Sequence, residues 1–84
     1  MPELEYSSRA ADWLREADPD AREQVMSRLG QAVDFPEHFL TRLSDSPYYR
    51  LRAGDYRAIV DWRRNDEPEL LFVRTIGHRR NVYD

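Results

Sequence analysis

After a short alternating start, apolar positions follow a helical period up to residue 35 and a strand period from residue 48 onward. Glu3-Leu4-Glu5-Tyr6 alternates polar and apolar, as a half-buried strand does. Ser7 or Ser8 supplies an N-cap, and Ala10, Trp13, Leu14 and Ala17 follow at helical spacing, predicting a first helix. Asp18-Pro19-Asp20 stops that helix and starts the next. Asp18 can cap, Pro19 suits the first helical position, and Asp20 and Glu23 favour the positive end of the dipole. Val25, Met26, Leu29 and Val33 predict the buried stripe of this second helix, which Phe35-Pro36 ends. The tight turn between the helices predicts an antiparallel hairpin, with Trp13 and Met26 in the core.

Residues 36–47 read as an irregular link, pinned to the core by Phe39, Leu40 and Leu43. Strands are predicted over 48–53, 56–62 and 70–76, with Tyr48, Tyr49 and Tyr56 as core and cross-strand packing. Gly54-Asp55 makes a two-residue hairpin turn, with glycine where positive φ is needed. Residues 64–68 form a polar loop, and Gly77 predicts a bulge or bend at the end of the last strand. The order β-α-α-β-β-β predicts an α+β fold: two N-terminal helices packed on one face of a small, mainly antiparallel sheet. Residues 1–84 read as a single domain, short enough to bury only roughly 60% of its unfolded surface.

Charge is distributed unevenly. The net charge of −3 argues mildly against a nucleic-acid binder. Residues 1–47, however, carry ten acidic and five basic side chains, whereas 48–84 carry six acidic and eight basic. A locally basic surface on an acidic protein still attracts phosphates. All 13 basic residues are arginine. A GC-rich genome and adaptation to high salt both give such a composition; either way, no lysine can act as a general base.

Cysteine is absent, and His38 and His78 lack metal-ligand spacing, so no disulfide, metal or cofactor is expected. No glycine-rich phosphate loop occurs. No apolar run approaches the roughly 20 residues that span a bilayer. The N-terminus lacks the basic and apolar regions of a signal peptide. The expected location is the cytoplasm, with no membrane partner.

The candidate chemistry lies in the arginines. Arg50 and Arg52 are two apart on a strand and so share a face. Arg57 follows just across the hairpin turn, and Arg79 and Arg80 close the last strand. Guanidinium groups match phosphate geometry and stay charged. One reading is a solvated face whose arginines pair with Asp55, Asp61 and Asp66. The favoured reading is an anion site, because so many like charges on one face oppose one another. His78 is a candidate general acid or base, as histidine is the side chain suited to proton transfer near neutrality, although for a lone histidine in this position hydrogen-bonding the loop is the better reading. Tyr83 can pack on the core or stack on a nucleobase.

The segment Tyr49-Arg50-Leu51-Arg52-Ala53-Gly54-Asp55-Tyr56-Arg57 resembles the basic strand, Gly-Asp turn and Tyr-Arg of the RelE/ParE toxin superfamily. Gly77-His78-Arg79-Arg80-Asn81-Val82-Tyr83 resembles the ending common in its RelE branch, and Leu43-Ser44-Asp45-Ser46-Pro47 the lead into the basic strand. The resemblance implies a type II toxin–antitoxin toxin of RelE-like fold. It further implies an mRNA interferase: a metal-independent, ribosome-dependent endoribonuclease that inhibits translation through attack of the RNA 2′-hydroxyl on the adjacent phosphate. The alternative is a non-nuclease protein of the same fold, either a ParE-like gyrase poison or a degenerate toxin that only binds its antitoxin.

By position, the resemblance assigns Arg50 and Arg52 to the basic, RNA-binding strand; Arg80, from its place in the arginine cluster, is read as a further phosphate contact. Arg57 holds the phosphate, Arg79 lies near the leaving group, and Tyr83 stacks on or orients the nucleotide. Implied partners are a cognate antitoxin, the ribosome and mRNA, with no direct DNA binding by the toxin alone. The best-studied RelE toxins have lysine where Arg50 and Arg52 stand. Proton transfer here would then fall to His78, to Tyr83 or to no side chain.

Overall fold

The computed structural model describes residues 2–82. In chain order these form β1 (Glu3–Tyr6), α1 (Ser8–Glu16), α2 (Pro19–Asp34), the single helical turn α3 (Pro36–Phe39), β2 (Leu40–Arg42), β3 (Tyr49–Ala53), β4 (Tyr56–Arg63) and β5 (Leu70–His78). The sheet has the order β1-β5-β4-β3-β2. β1 runs parallel to β5, and the other neighbours are antiparallel. This is the α+β architecture read from the sequence, with one addition. The link over 36–47 is not irregular throughout, because it contributes α3 and β2. Pro36 occupies the first turn of α3, as its fixed φ favours. Leu40 then turns inward opposite Leu51 while Thr41 and Arg42 stay exposed. Three residues are too few for alternation to announce a strand.

Both helices cover the same face of the sheet, α1 mainly on β5 and α2 mainly on β3. The stripe that α2 buries is Ala21, Val25, Leu29 and Ala32, at steps of four, four and three. Met26, expected in that stripe, is 41% exposed and instead accepts a hydrogen bond at Sδ from the Tyr6 hydroxyl at 3.4 Å. Asp18 makes no side-chain cap bond. The turn between the helices is held by Arg22, which donates from Nε to the Leu14 carbonyl at 2.7 Å and from Nη2 to that of Ala17 at 3.0 Å. These carbonyls have no partner within α1, so a long donor from the next helix completes its C-terminus.

Strand parity decides what the uncovered face carries. Leu51 and Ala53 of β3, and Ala58, Val60 and Trp62 of β4, join the core beneath the helices. Arg50, Arg52, Arg57, Ile59, Asp61 and Arg63 alternate with them onto the open face. In β5 the inward positions are Leu71, Val73 and Ile76, which breaks the period of two. The break is a bulge: Val60 pairs with Val73 and Ile59 with Thr75, leaving Arg74 as the extra residue. The irregularity therefore lies at Arg74 and not at Gly77, through which β5 continues to His78. Gly77 instead permits a close approach, since a Cβ there would meet Val82 Cγ2 at 2.8 Å.

The β3–β4 turn follows the sequence rule. Gly54 has φ +61°, the first-position geometry of a type II′ hairpin. A Cβ at Gly54 would also fall 2.1 Å from Nε2 of Gln24 on α2.

Candidate functional site

The hairpin turn at Gly54 places arginines on the uncovered face at one end of the sheet. Arg52 and Arg57 are direct cross-strand partners, and Arg50 pairs with Ile59, one diagonal step from Arg57. Arg79 follows β5. Its backbone N–H donates to the Asp55 carbonyl at 2.8 Å, which ties the C-terminal turn to the β3–β4 hairpin. Arg57 Nη1 donates to the Gly54 and Tyr56 carbonyls at 2.7 and 2.8 Å, so the turn backbone fixes this guanidinium.

Electrostatics show the same convergence. Partial desolvation lowers the Arg57 pKa most, and the charges of Arg52, Arg50 and Arg79 lower it further, with Asp55 opposing them. Arg57 stays protonated at any relevant pH. Four cations therefore share one local field. No carboxylate forms an ion pair with any of them among the described residues; the ion pairs there are Arg15–Asp12, Arg63–Asp61 and Arg64–Glu37. Of the three aspartates that might have neutralised the cluster, Asp61 holds Arg63, and Asp55 acts on Arg57 only through space. Arg50 Nε is buried without a hydrogen-bond partner, an orphan donor in a positive field.

His78 is not part of this cluster. It pairs with Tyr56 across β4–β5, on the helix side, with ring centroids 6.0 Å apart in an edge contact. Tyr56 in turn meets Trp13 at 5.6 Å. His78 Nδ1 accepts from the Arg80 backbone N–H at 3.3 Å, and its carbonyl accepts from Asn81 N at 2.8 Å. The histidine thus organises the turn that carries Arg79 while its ring faces a groove beside α1, lined by Arg9, Trp13 and Val82. Arg80 is exposed in that turn. Tyr83 lies outside the described residues.

The sequence reading missed Tyr48 and Arg74. Tyr48 does not pack in the core. It precedes β3 on the open side, with the Arg74 guanidinium carbon 4.2 Å from its ring centroid. The signal was present in the step from Val73 to Ile76, which a regular strand cannot place on one face.

Among the described residues no group of three or more His, Asp or Glu side chains is placed to hold a metal ion, and no helix is long and apolar enough to cross a membrane.

The fold matches the intact RelBE toxin–antitoxin complex of E. coli with TM-score 0.76 and 26% identity, covering 93% of this chain and 96% of that one. The RelBE2 complex of Mycobacterium tuberculosis matches with TM-score 0.77 and 19% identity, covering 94% and 100%. An archaeal RelE–RelB complex from Pyrococcus horikoshii matches with TM-score 0.76 and 17% identity, covering 96% and 98%. The architecture is that of RelE toxins. Residues 5–83 match the family described as the ParE toxin of the type II toxin–antitoxin system parDE, and the chain belongs to that family. No curated protein matches the chain.

Proposed function

We propose that the protein acts as a ribosome-dependent mRNA endonuclease in the cytoplasm and is held inactive by a cognate antitoxin. The observation that carries this reading is the set of Arg50, Arg52 and Arg57 on one face, with Arg79 close enough to share their field, and no carboxylate paired to any of them among the described residues. Such a set suits a phosphodiester whose negative charge grows during reaction. In the proposed reaction the 2′-hydroxyl oxygen attacks the adjacent phosphorus and the P–O5′ bond breaks. The products are a 2′,3′-cyclic phosphate and a 5′-hydroxyl. The proton lost from the 2′-oxygen passes to solvent, and the departing 5′-oxygen gains one.

Arg57, fixed by the turn carbonyls, holds a non-bridging phosphate oxygen, with Arg50 and Arg52 completing the cradle. Arg79 stabilises charge on the leaving oxygen. His78 faces the other side of the sheet, so its part is to order the turn that presents Arg79. Arg80 extends the cationic rim, and the resemblance assigns base stacking to Tyr83. Several of the solved neighbours are toxins bound to antitoxins, which supports the antitoxin as partner.

The matched family is described as a ParE toxin, which favours a second reading: the gyrase poisoning that the resemblance implies for the ParE branch. Induction in a bacterial host separates the two. New 5′-hydroxyl ends within translated codons, lost in Arg57→Ala, support the nuclease. Gyrase-linked DNA breaks with intact transcripts would overturn it in favour of the second reading.

A further inference from the structure

The bulge in β5 has a specific effect. An extra residue in one strand re-aims a side chain. Here it turns Arg74 across the open face, where its guanidinium carbon stands 4.2 Å from the Tyr48 ring centroid. The bulge is anchored, because Ser7 Oγ, which caps α1, donates to the Arg74 carbonyl at 2.6 Å. Ile59 lies between β3 and β5 on this face and is only 4% exposed, as a side chain beneath a stacked cover would be.

Arg74 itself is exposed and forms no side-chain hydrogen bond or ion pair among the described residues. Its guanidinium carbon lies over the Tyr48 ring, and its N–H donors are unused among the described residues. Tyr48 precedes Arg50 by two residues on the same side of the chain, about 6.7 Å along the strand. That is the scale on which a base lies from the phosphate of its own nucleotide. Guanidinium planes stack on unpaired bases, and guanidinium edges donate to N7 of either purine and to O6 of guanine.

We propose that the Tyr48–Arg74 stack is a nucleobase subsite for single-stranded RNA, and that it favours a purine next to the phosphate bound by Arg50, Arg52 and Arg57. The subsite rests on the RNA-cleaving reading above. Tyr48 fixes the guanidinium plane, the base lies on the free plane, and the edge donors select among bases. A lysine in place of Arg74 would keep the charge but lose plane and fork.

The test is single-turnover cleavage on ribosomes programmed with mRNAs that vary only in the bases of the exposed codon. Wild type, Arg74→Lys, Arg74→Ala, Tyr48→Leu and Arg57→Ala are compared, with Arg63→Ala as a control on the same face that is paired to Asp61. Thermal melting checks each fold. Arg74→Lys and Arg74→Ala are each expected to lose about tenfold or more in kcat/KM on purine codons, the scale of one stacked base. Both should also flatten the preference between purine and pyrimidine. Tyr48→Leu, which still covers Ile59, is expected to do the same. Arg57→Ala slows every codon alike, and Arg63→Ala matches wild type. Arg74→Lys with wild-type rate and wild-type base preference would overturn the subsite while leaving the nuclease intact. Wild type that cleaves no programmed mRNA overturns both.

Discussion

Arg52 stands directly opposite Arg57 in the β3–β4 ladder, a like-charge cross-strand pair with Arg50 one step away. Such pairs destabilise a sheet by roughly 0.2–1 kcal/mol. Arg52 makes no side-chain hydrogen bond or ion pair among the described residues, so removing it sacrifices no contact there. Arg52→Gln is therefore expected to raise the melting temperature of the free protein by about 2–4 °C at low salt, given the usual 4–8 °C per kcal/mol for a domain of this size. The gain shrinks as salt screens the pair. The same substitution is expected to weaken RNA cleavage. A lower melting temperature would show that the arginine is structurally held and not poised for a ligand.

The positions of Arg79 and His78 separate charge stabilisation from acid–base catalysis. Loss of one preorganised donor at a developing charge typically costs about 10²–10³ in rate, and general acid–base help is worth about 10²–10⁴. His78 lies on the helix side of the sheet, opposite Tyr56. Arg79→Ala is expected to be the more damaging change in single-turnover cleavage, by about 10²-fold. His78→Ala is expected to cost only a few-fold, through a looser Arg79 turn. The wild-type rate should show no step across the range where histidine titrates. A His78→Ala loss as deep as that of Arg79→Ala, together with such a step, would restore His78 to the chemistry.

Gly54 is constrained twice, by φ +61° and by Gln24, whose Nε2 would lie 2.1 Å from a Cβ. Gly54→Ala is expected to destabilise the fold by about 1–2 kcal/mol, from backbone strain and the displaced amide. The paired variant Gly54→Ala with Gln24→Ala removes the steric part and leaves the conformational part. In chemical denaturation it is expected to recover some of the loss but not all. Full recovery would mean that positive φ at this turn costs the fold nothing.

Most of this architecture was legible in the sequence wherever a period ran long enough. Two helices, the four strands other than β2 and the Gly54-Asp55 turn each rest on regularly spaced apolar positions or on a residue with special φ. β2 was hidden because three edge residues make no pattern, and Met26 was misplaced because alanines can line a helix stripe as well as larger side chains. The grouping of Arg50, Arg52 and Arg57 followed from alternation and one hairpin turn. His78 was different: its side of the sheet depends on the bulge at Arg74, three residues before the glycine that seemed the natural place for one. The Tyr48–Arg74 contact depends on the same bulge; the step from Val73 to Ile76 signals the break but not which side chain across β4 the extra residue meets.

The free chain exposes Phe35 at 65% and Met26 at 41%, and it holds four close arginines without paired carboxylates. A partner segment that is both acidic and apolar complements these features, and such segments commonly fold on binding. Ligand binding to the native state alone stabilises by about 4 kcal/mol at a thousandfold excess over Kd. For a domain of this size that corresponds to a rise in melting temperature of roughly 15–30 °C. Because the arginine face contributes through charge, affinity is expected to fall as salt rises, and Arg50→Gln with Arg52→Gln should flatten that dependence. Calorimetric melting of the toxin alone and with a saturating antitoxin segment, at two salt concentrations, measures both effects. Equal melting temperatures would sink the proposal of a stabilising partner. A large rise indifferent to salt and to both substitutions would move the antitoxin off the arginine face and onto the apolar side of α2.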